Sequence, residues 1–376
     1  MDEVSPAFSA GAVTNVASSL QVFGAGKVLG EHERGTLNTM RKLAYNSGQV
    51  PPLYQVNRRS LRREETIIAA GTFAEVRRGR LDNKAVAIRT LRIDQKTNGD
   101  KHQKLFCKEC IIWMKISHPN LLPLIGIDID SQTGHYSMIS ELMANGNIRE
   151  YIRQNSANRH RLLEDIAAGL CYLHEHDIVH GDLKGNNILI TNETPPRACL
   201  ADFGISTLAP STSGVTATDN AGGTFLYMAP ELIAPSTIGS SSARPTKPAD
   251  IYALGMVILE VLTGALPFSE KGWVTTEVTY RVVSGERPTK PDDAEQIGFG
   301  GRTWELVEEC WVQQPTRRPK IEQVLAHLTR VAASSTVFGP TPEIVLSVDA
   351  SESDSSSEFF VFLACSDLSH RRGRQH

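Results

Sequence analysis

The stretch "NKAVAIRTLR", Asn83 to Arg92, alternates like a half-buried strand, with Ala85, Ala87 and Arg89 on one face and Val86, Ile88 and Thr90 on the other. Upstream, "ETIIAAGTFAEVRRGRL" followed by "DNK" completes a pattern of strand, turn, strand, strand from Glu64 to about Leu91. The spacing then changes to that of a helix over "KHQKLFCKECIIWMKI", and "HPNLLPLIGIDI" and "HYSMISELM" predict two more strands. After Gly146 helical periodicity dominates, in "IREYIRQ", "HRLLEDIAAGLCYLHEH", "ADIYALGMVILEVLTG" and "TWELVEECWVQ". A strand-rich section followed by a helical one predicts an α+β protein of two unequal lobes.

The flanks read differently. Residues 1–58 are rich in Ser, Gly, Ala and Asn and predict a mostly flexible leader with one short helix, about Asn38 to Tyr45, ended by "NSGQVPP". Within it, "FGAGKVLG" is not a phosphate loop, because Val28 follows the lysine where Ser or Thr is needed, and the glycines miss the dinucleotide spacing. The strand-rich lobe is assigned to 59–143 and the helical lobe to 144–333. Residues 334–376, with "SVDASESDSSSE", are expected to be a disordered Ser-rich tail.

Composition narrows the class without naming it. The 376 residues, 40% hydrophobic and 22% charged, are those of an ordinary globular protein. A formal net charge of −3 gives no support to nucleic-acid or anionic-membrane binding, and "NRRSLRREE" and "RRGRQH" read as solvated charge. "MDEVSPAFSA" lacks the pattern of a secretory signal, and "FFVFLAC" is far shorter than the ~20 residues of a membrane span. An intracellular, cytoplasmic protein is expected. The six cysteines are scattered; Cys107 and Cys110 have metal-site spacing but no second pair, and are expected to be packed free thiols.

Two short segments between the helices have another character: "IVHGDLKGNNILI" and "ACLADFGIST". Each ends an apolar run with an acid, and the first adds Lys184 and Asn187. Phosphoryl transfer needs such groups: a carboxylate to orient a hydroxyl, a cation near the moving phosphoryl group, and oxygen ligands for magnesium. Either acid alone could be a turn residue or helix cap.

Taken in order, these segments resemble the protein kinases over about Glu64 to Val331. "HGDLKGNN" is similar to the catalytic loop, "ADFG" to the magnesium-binding turn, and "GGTFLYMAPE" to the segment that ends in APE. "PADIYALGMVILEVLTGALPF" and "CWVQQPTRRP" resemble later helices of the tyrosine-kinase-like group. The resemblance implies a bilobal kinase fold, with an N-lobe and hinge over 59–143, a C-lobe over 144–333, and ATP with Mg2+ as cofactors. It makes Asp182 the catalytic base and Lys184 the cation at the γ-phosphoryl group, with Asn187 and Asp202 as metal ligands. Glu231 is expected to pair with Arg318, and Asp250 to bond back to the catalytic loop, although Asp250 could also be a plain N-cap. Val76, Ala87 and Leu189 match the adenine sandwich, Ser140 a small gatekeeper, and Glu141, Met143 and Asn147 the hinge and its exit. Lys184 and Thr224 follow the Ser/Thr form, so protein Ser/Thr hydroxyls are the implied acceptors. A protein substrate or signalling partner follows.

The family pattern is departed from in three places. "AAGTFAEV" keeps only Gly71 of the three loop glycines, with Phe73 left to cap the phosphates. Gly181 stands where an arginine often receives a phosphorylated loop residue, so for Ser206, Thr207, Ser211, Thr212, Ser213, Thr216 and Thr218 that clamp is missing. Arg89 replaces the strand lysine that joins the α- and β-phosphates to a helix glutamate, here Glu109. Its larger fork with fixed donor directions makes this exchange non-conservative. Two readings follow: a Mg-ATP-dependent Ser/Thr kinase of reduced activity, or a pseudokinase that serves as a nucleotide-binding or scaffolding module. A transferase acting on a small molecule is disfavoured by the APE segment.

Overall fold

The computed structural model describes residues 31–70, 74–91, 99–130, 135–203, 223–238 and 244–335. Gly71, Phe73, Gly204, the seven loop hydroxyl residues, the "FGAGKVLG" segment and residues 336–376 of the Ser-rich tail lie outside them.

Five antiparallel strands form one sheet in the order β1-β2-β3-β5-β4: β1 (Leu61–Ala70), β2 (Ala74–Leu81), β3 (Lys84–Leu91), β4 (Leu124–Asp130) and β5 (His135–Glu141). The turn between β2 and β3 holds Asp82 and Asn83 at φ 47° and 66°, the left-handed pair that matches hairpin twist and that Asx residues tolerate. The alternation read in β3 is realised. Val86 and Ile88 are buried with Ile139 under Val56, Leu61 and Leu81, whereas Ala87 and Arg89 are half-buried on the other face.

That other face receives α2 (Gly99–Lys115), which lies between β3 and β4 and whose Phe106 meets Tyr136 of β5 edge-on at 5.5 Å. The second lobe is helical. It contains α3 (Ile148–Gln154), α4 (Arg159–Glu175), the short α5 (Pro230–Ile233), α6 (Lys247–Thr263), α7 (Thr275–Val283), α8 (Gly301–Cys310) and α9 (Ile321–Ser334). Helix α6 is buried on all sides from Ala249 to Leu262, which explains why its sequence is apolar all round. A two-stranded ribbon, β6 (Ile188–Ile190) with β7 (Ala198–Leu200), lies beside α4.

Residues 31–58 differ from the sequence expectation of a mostly flexible leader. A helix, α1 (Glu31–Ser47), extends past both ends of the predicted one and packs on α2. Its many polar residues hide a narrow stripe, Leu37, Met40 and Ala44, which is buried in the same core as Phe106, Cys107 and Cys110. Gly48, at φ 62°, ends the helix with its N–H on the Ala44 carbonyl.

The five cysteines within the described residues are buried free thiols, and burial pushes Cys107 up to about 12, as expected of packing rather than reactivity. Among the described residues no helix is long and apolar enough to cross a membrane, and no cluster of three or more His, Cys, Asp or Glu could hold a metal ion.

Candidate active site

The loop between α4 and β6 is shaped from beneath. Asp250, in the first turn of α6 and 2% exposed, accepts hydrogen bonds from the backbone N–H of His180 (2.8 Å) and of Gly181 (2.8 Å), and its Oδ2 lies 2.9 Å from His174 Nε2. The capping role belongs to Thr246, which accepts from Ala249 N–H. Asp250 therefore bonds back to the loop. With its backbone held there, Gly181 takes φ 79°, a left-handed conformation that glycine adopts without a Cβ penalty. Burial lowers the pKa of His180, against the pull of Asp250, Asp182 and Asp202, and its Nδ1 accepts the Asp182 N–H at 3.3 Å.

The Asp182 carboxylate is fixed by two donors. Lys184 Nζ reaches its Oδ2 at 2.8 Å and Asn187 Nδ2 the same oxygen at 2.9 Å, while Asn187 also donates to the Asp182 carbonyl at 2.8 Å. Lys184 Nζ continues to Thr224 Oγ1 at 2.7 Å, so one ammonium joins the loop to the segment that leads into α5. With both amide protons of Asn187 spent on Asp182, its Oδ1 is left as an acceptor.

Asp202 follows β7 at φ 57°. Phe203 beside it is buried, edge-on to Trp113 of α2 at 5.6 Å and to His180 at 6.4 Å. Trp113 lies one helical turn beyond Glu109, a spacing visible in the sequence but not singled out there.

Arg89 points into the cleft. Its register partners are Val76 on β2 and Met138 on β5, and its Nε lies 3.3 Å from Asp202 Oδ1. Among the described residues that is the ion pair Arg89 makes; the expected partner, Glu109, is buried in α2, and its charge acts on a different cation, Arg41 of α1, opposing the fall that burial imposes on the Arg41 pKa. Arg89 Nη1 is buried without a hydrogen-bond partner.

Above the loop, Ala87 is in register with Ser140, which is buried, and Glu141 ends β5. Met143 is buried, and its carbonyl accepts the Gly146 N–H in a tight turn. Leu189, half-buried in β6, is bridged to Asn147, whose side chain caps α3 by accepting Glu150 N–H at 3.1 Å. Sequence reasoning missed how this connection is held. Asn192 bonds both the Ala144 N–H and the Leu142 carbonyl, and Asn145 donates to the Thr191 carbonyl, pinning 142–145 to the end of β6.

Below the site, Arg318 makes a two-pronged pair with Glu231 at 2.6 and 2.7 Å, as its position predicted.

A five-stranded antiparallel sheet backed by α2, a helical lobe whose loop carries Asp182, Lys184 and Asn187, and a second acid at the end of a short strand define the protein kinase fold. The chain belongs to the protein kinase domain family, whose pattern matches residues 62–328. It is 30% identical over 281 residues to the dual specificity protein kinase shkC of Dictyostelium discoideum, covering 73% of this chain and 52% of that protein. It is 30% identical to the serine/threonine/tyrosine-protein kinase HT1 of Arabidopsis thaliana (70% and 64% covered) and 28% identical to the serine/threonine-protein kinase STY46 of the same plant (70% and 43%). The match thus spans less than two thirds of each of these relatives.

Proposed function

We propose that this chain is a protein Ser/Thr kinase that transfers the γ-phosphoryl group of Mg-ATP to hydroxyls of a protein substrate or signalling partner in the cytoplasm, at a rate lowered by Arg89. The observation that carries the reading is the double contact of Lys184, which holds Asp182 and Thr224 together and so would align the base with the segment an acceptor peptide would meet. Asp182 is then placed to accept the hydroxyl proton, and Lys184 to steady the transferring group.

The residues fit a magnesium-bound nucleotide. The Asn187 amide oxygen and the Asp202 carboxylate are hard oxygen donors of the type magnesium prefers, and the orphaned Arg89 Nη1 is a buried donor suited to a phosphate oxygen. Magnesium bound there neutralises charge on the phosphates. Val76, Ala87 and Leu189 would sandwich the adenine, with Ser140 leaving space behind it and the backbones of Glu141 and Met143 meeting its edge. Asn147 would lie at the cleft exit, and Gly71 and Phe73 would cover the phosphates. Arg89, set by Asp202 rather than by Glu109, would be the cation that meets them.

One observation favours the second reading, a pseudokinase serving as an interaction module: Arg89 already lies on the carboxylate that would hold the metal. By analogy with loss of one preorganised donor, Arg89 is expected to cost about 10²-fold to 10³-fold in rate. A phosphotransfer assay on the wild type, Asp182→Ala and Arg89→Lys decides. Transfer lost in the first variant and raised in the second supports the enzyme. Equal inertness of all three, with ATP still raising Tm, supports the module.

A further inference from the structure

The matched kinase region begins at residue 62, yet the chain before it is built into the N-lobe. Leu37, Met40 and Ala44 recur one helical turn apart on α1 and are buried with Phe106, Cys107 and Cys110 of α2. The contact continues past the helix end. Gln103 of α2 donates to the Gly48 carbonyl at 2.8 Å and accepts from Tyr136 of β5 at 2.8 Å, so helix, strap and sheet meet in one side chain. Tyr54 is buried with the Lys115 ammonium 5.5 Å from its ring centre.

The strap then joins the sheet edge. Val56 N–H bonds the Ile127 carbonyl at 2.9 Å, and Arg58 pairs with Asp128 and, at 3.4 Å, with Asp130. Gly126 of β4 is shaped to this strap: a Cβ there would lie 2.6 Å from Val56 Cγ1 and 3.0 Å from the Tyr54 carbonyl.

Glu109 is 4% exposed, and a buried carboxylate needs a compensating charge. The strand cation expected to supply it, Arg89, lies against Asp202. Arg41 lies one helical turn after Leu37 and just before Ala44, on the stripe of α1 that is buried in one core with Cys107 and Cys110, which flank Glu109 on α2; the Glu109 charge also opposes the fall that burial imposes on the Arg41 pKa. We propose that residues 31–58 form a fixed clamp on α2, and that Arg41 is a positioning residue through which the clamp holds Glu109 in the N-lobe. The mechanistic part rests on the kinase reading; the clamp itself does not.

The test uses the full chain with Arg41→Met, which keeps the apolar stem, Arg41→Lys, which keeps the charge, and Gly126→Val, which lifts the strap without touching either partner. Hydrogen exchange over residues 103–113 is expected to rise about tenfold in Arg41→Met and Gly126→Val, with 251–262 unchanged. Mg-ATP affinity by calorimetry is expected to fall about fivefold to tenfold in the same two variants, and Arg41→Lys to restore both readings. Unchanged exchange in Arg41→Met and Gly126→Val overturns the clamp, and a lysine variant no better than methionine overturns the positioning role. A wild type that neither transfers phosphate nor binds ATP defeats the kinase reading alone, because exchange still decides the clamp.

Discussion

Arg89 and Gly181 show how much a single position carries. The alternation in β3 correctly turned Arg89 to the face opposite Val86 and Ile88, but which acid it meets depends on where the chain returns more than a hundred residues later. At Gly181 the relation is more direct. Two bonds from Asp250 hold the backbone N–H groups on either side of the His180–Gly181 peptide's carbonyl, and φ is 79°. Replacing this glycine with arginine puts a Cβ in the left-handed region, at a cost of about 1–2 kcal/mol. Gly181→Arg is accordingly expected to lower Tm by roughly 2–8 °C in a thermal melt. A Tm equal to that of the wild type would show that Asp250 does not hold this backbone conformation rigidly.

At the scale of elements, α5 is tied to the turn before α9 by a buried ion pair. Arg318, its side chain fully buried, meets both oxygens of Glu231, the Pro248 and Val312 carbonyls, and the Tyr252 ring with its guanidinium carbon 5.2 Å from the ring centre. Removing Glu231 leaves that guanidinium buried without its counter-charge. Glu231→Ala should cost about 3–5 kcal/mol in urea unfolding, and the double change with Arg318→Met should cost less. If the double variant is no more stable than the single one, the loss is packing, not unpaired charge. Elements also differ in how openly the sequence declares them. Helix α6 announces itself through fourteen successive buried positions, Ala249 to Leu262, whereas α1 shows a stripe of only Leu37, Met40 and Ala44 among polar residues. Such a stripe looks like a solvated helix until a partner surface is known, because the burial that stabilises it comes from α2.

Across the whole molecule, Glu260 joins parts far apart in sequence. From α6 it receives Tyr227 O–H at 2.8 Å, lies 2.7 Å from Arg149 Nε of α3 in an ion pair without a hydrogen bond at that oxygen, and presses so closely on Gly185 of the Asp182 loop that a Cβ there would clash with it. Burial pushes its carboxyl from 4.5 up to about 7, against the pull of Arg149, Tyr227 and the Gly185 backbone. Between those two values the folded protein keeps a proton that the unfolded chain has released. Stability is therefore expected to fall as pH rises from about 4.5 to about 7 and to level off above that, a contribution on the order of 3 kcal/mol. Glu260→Gln should remove that part of the slope in urea titrations at pH 5, 6 and 7; an identical slope would exclude Glu260 as its source. By itself the sequence determined the fold class, the two lobes, and the order of Asp182, Lys184, Asn187 and Asp202, because periodicity and short motifs are local properties. Only the tertiary structure decided that Arg89 meets Asp202, that α1 covers α2, and that Glu260 gathers α3, the Asp182 loop and Tyr227, because charge pairing and burial depend on which distant surfaces the folded chain brings into contact.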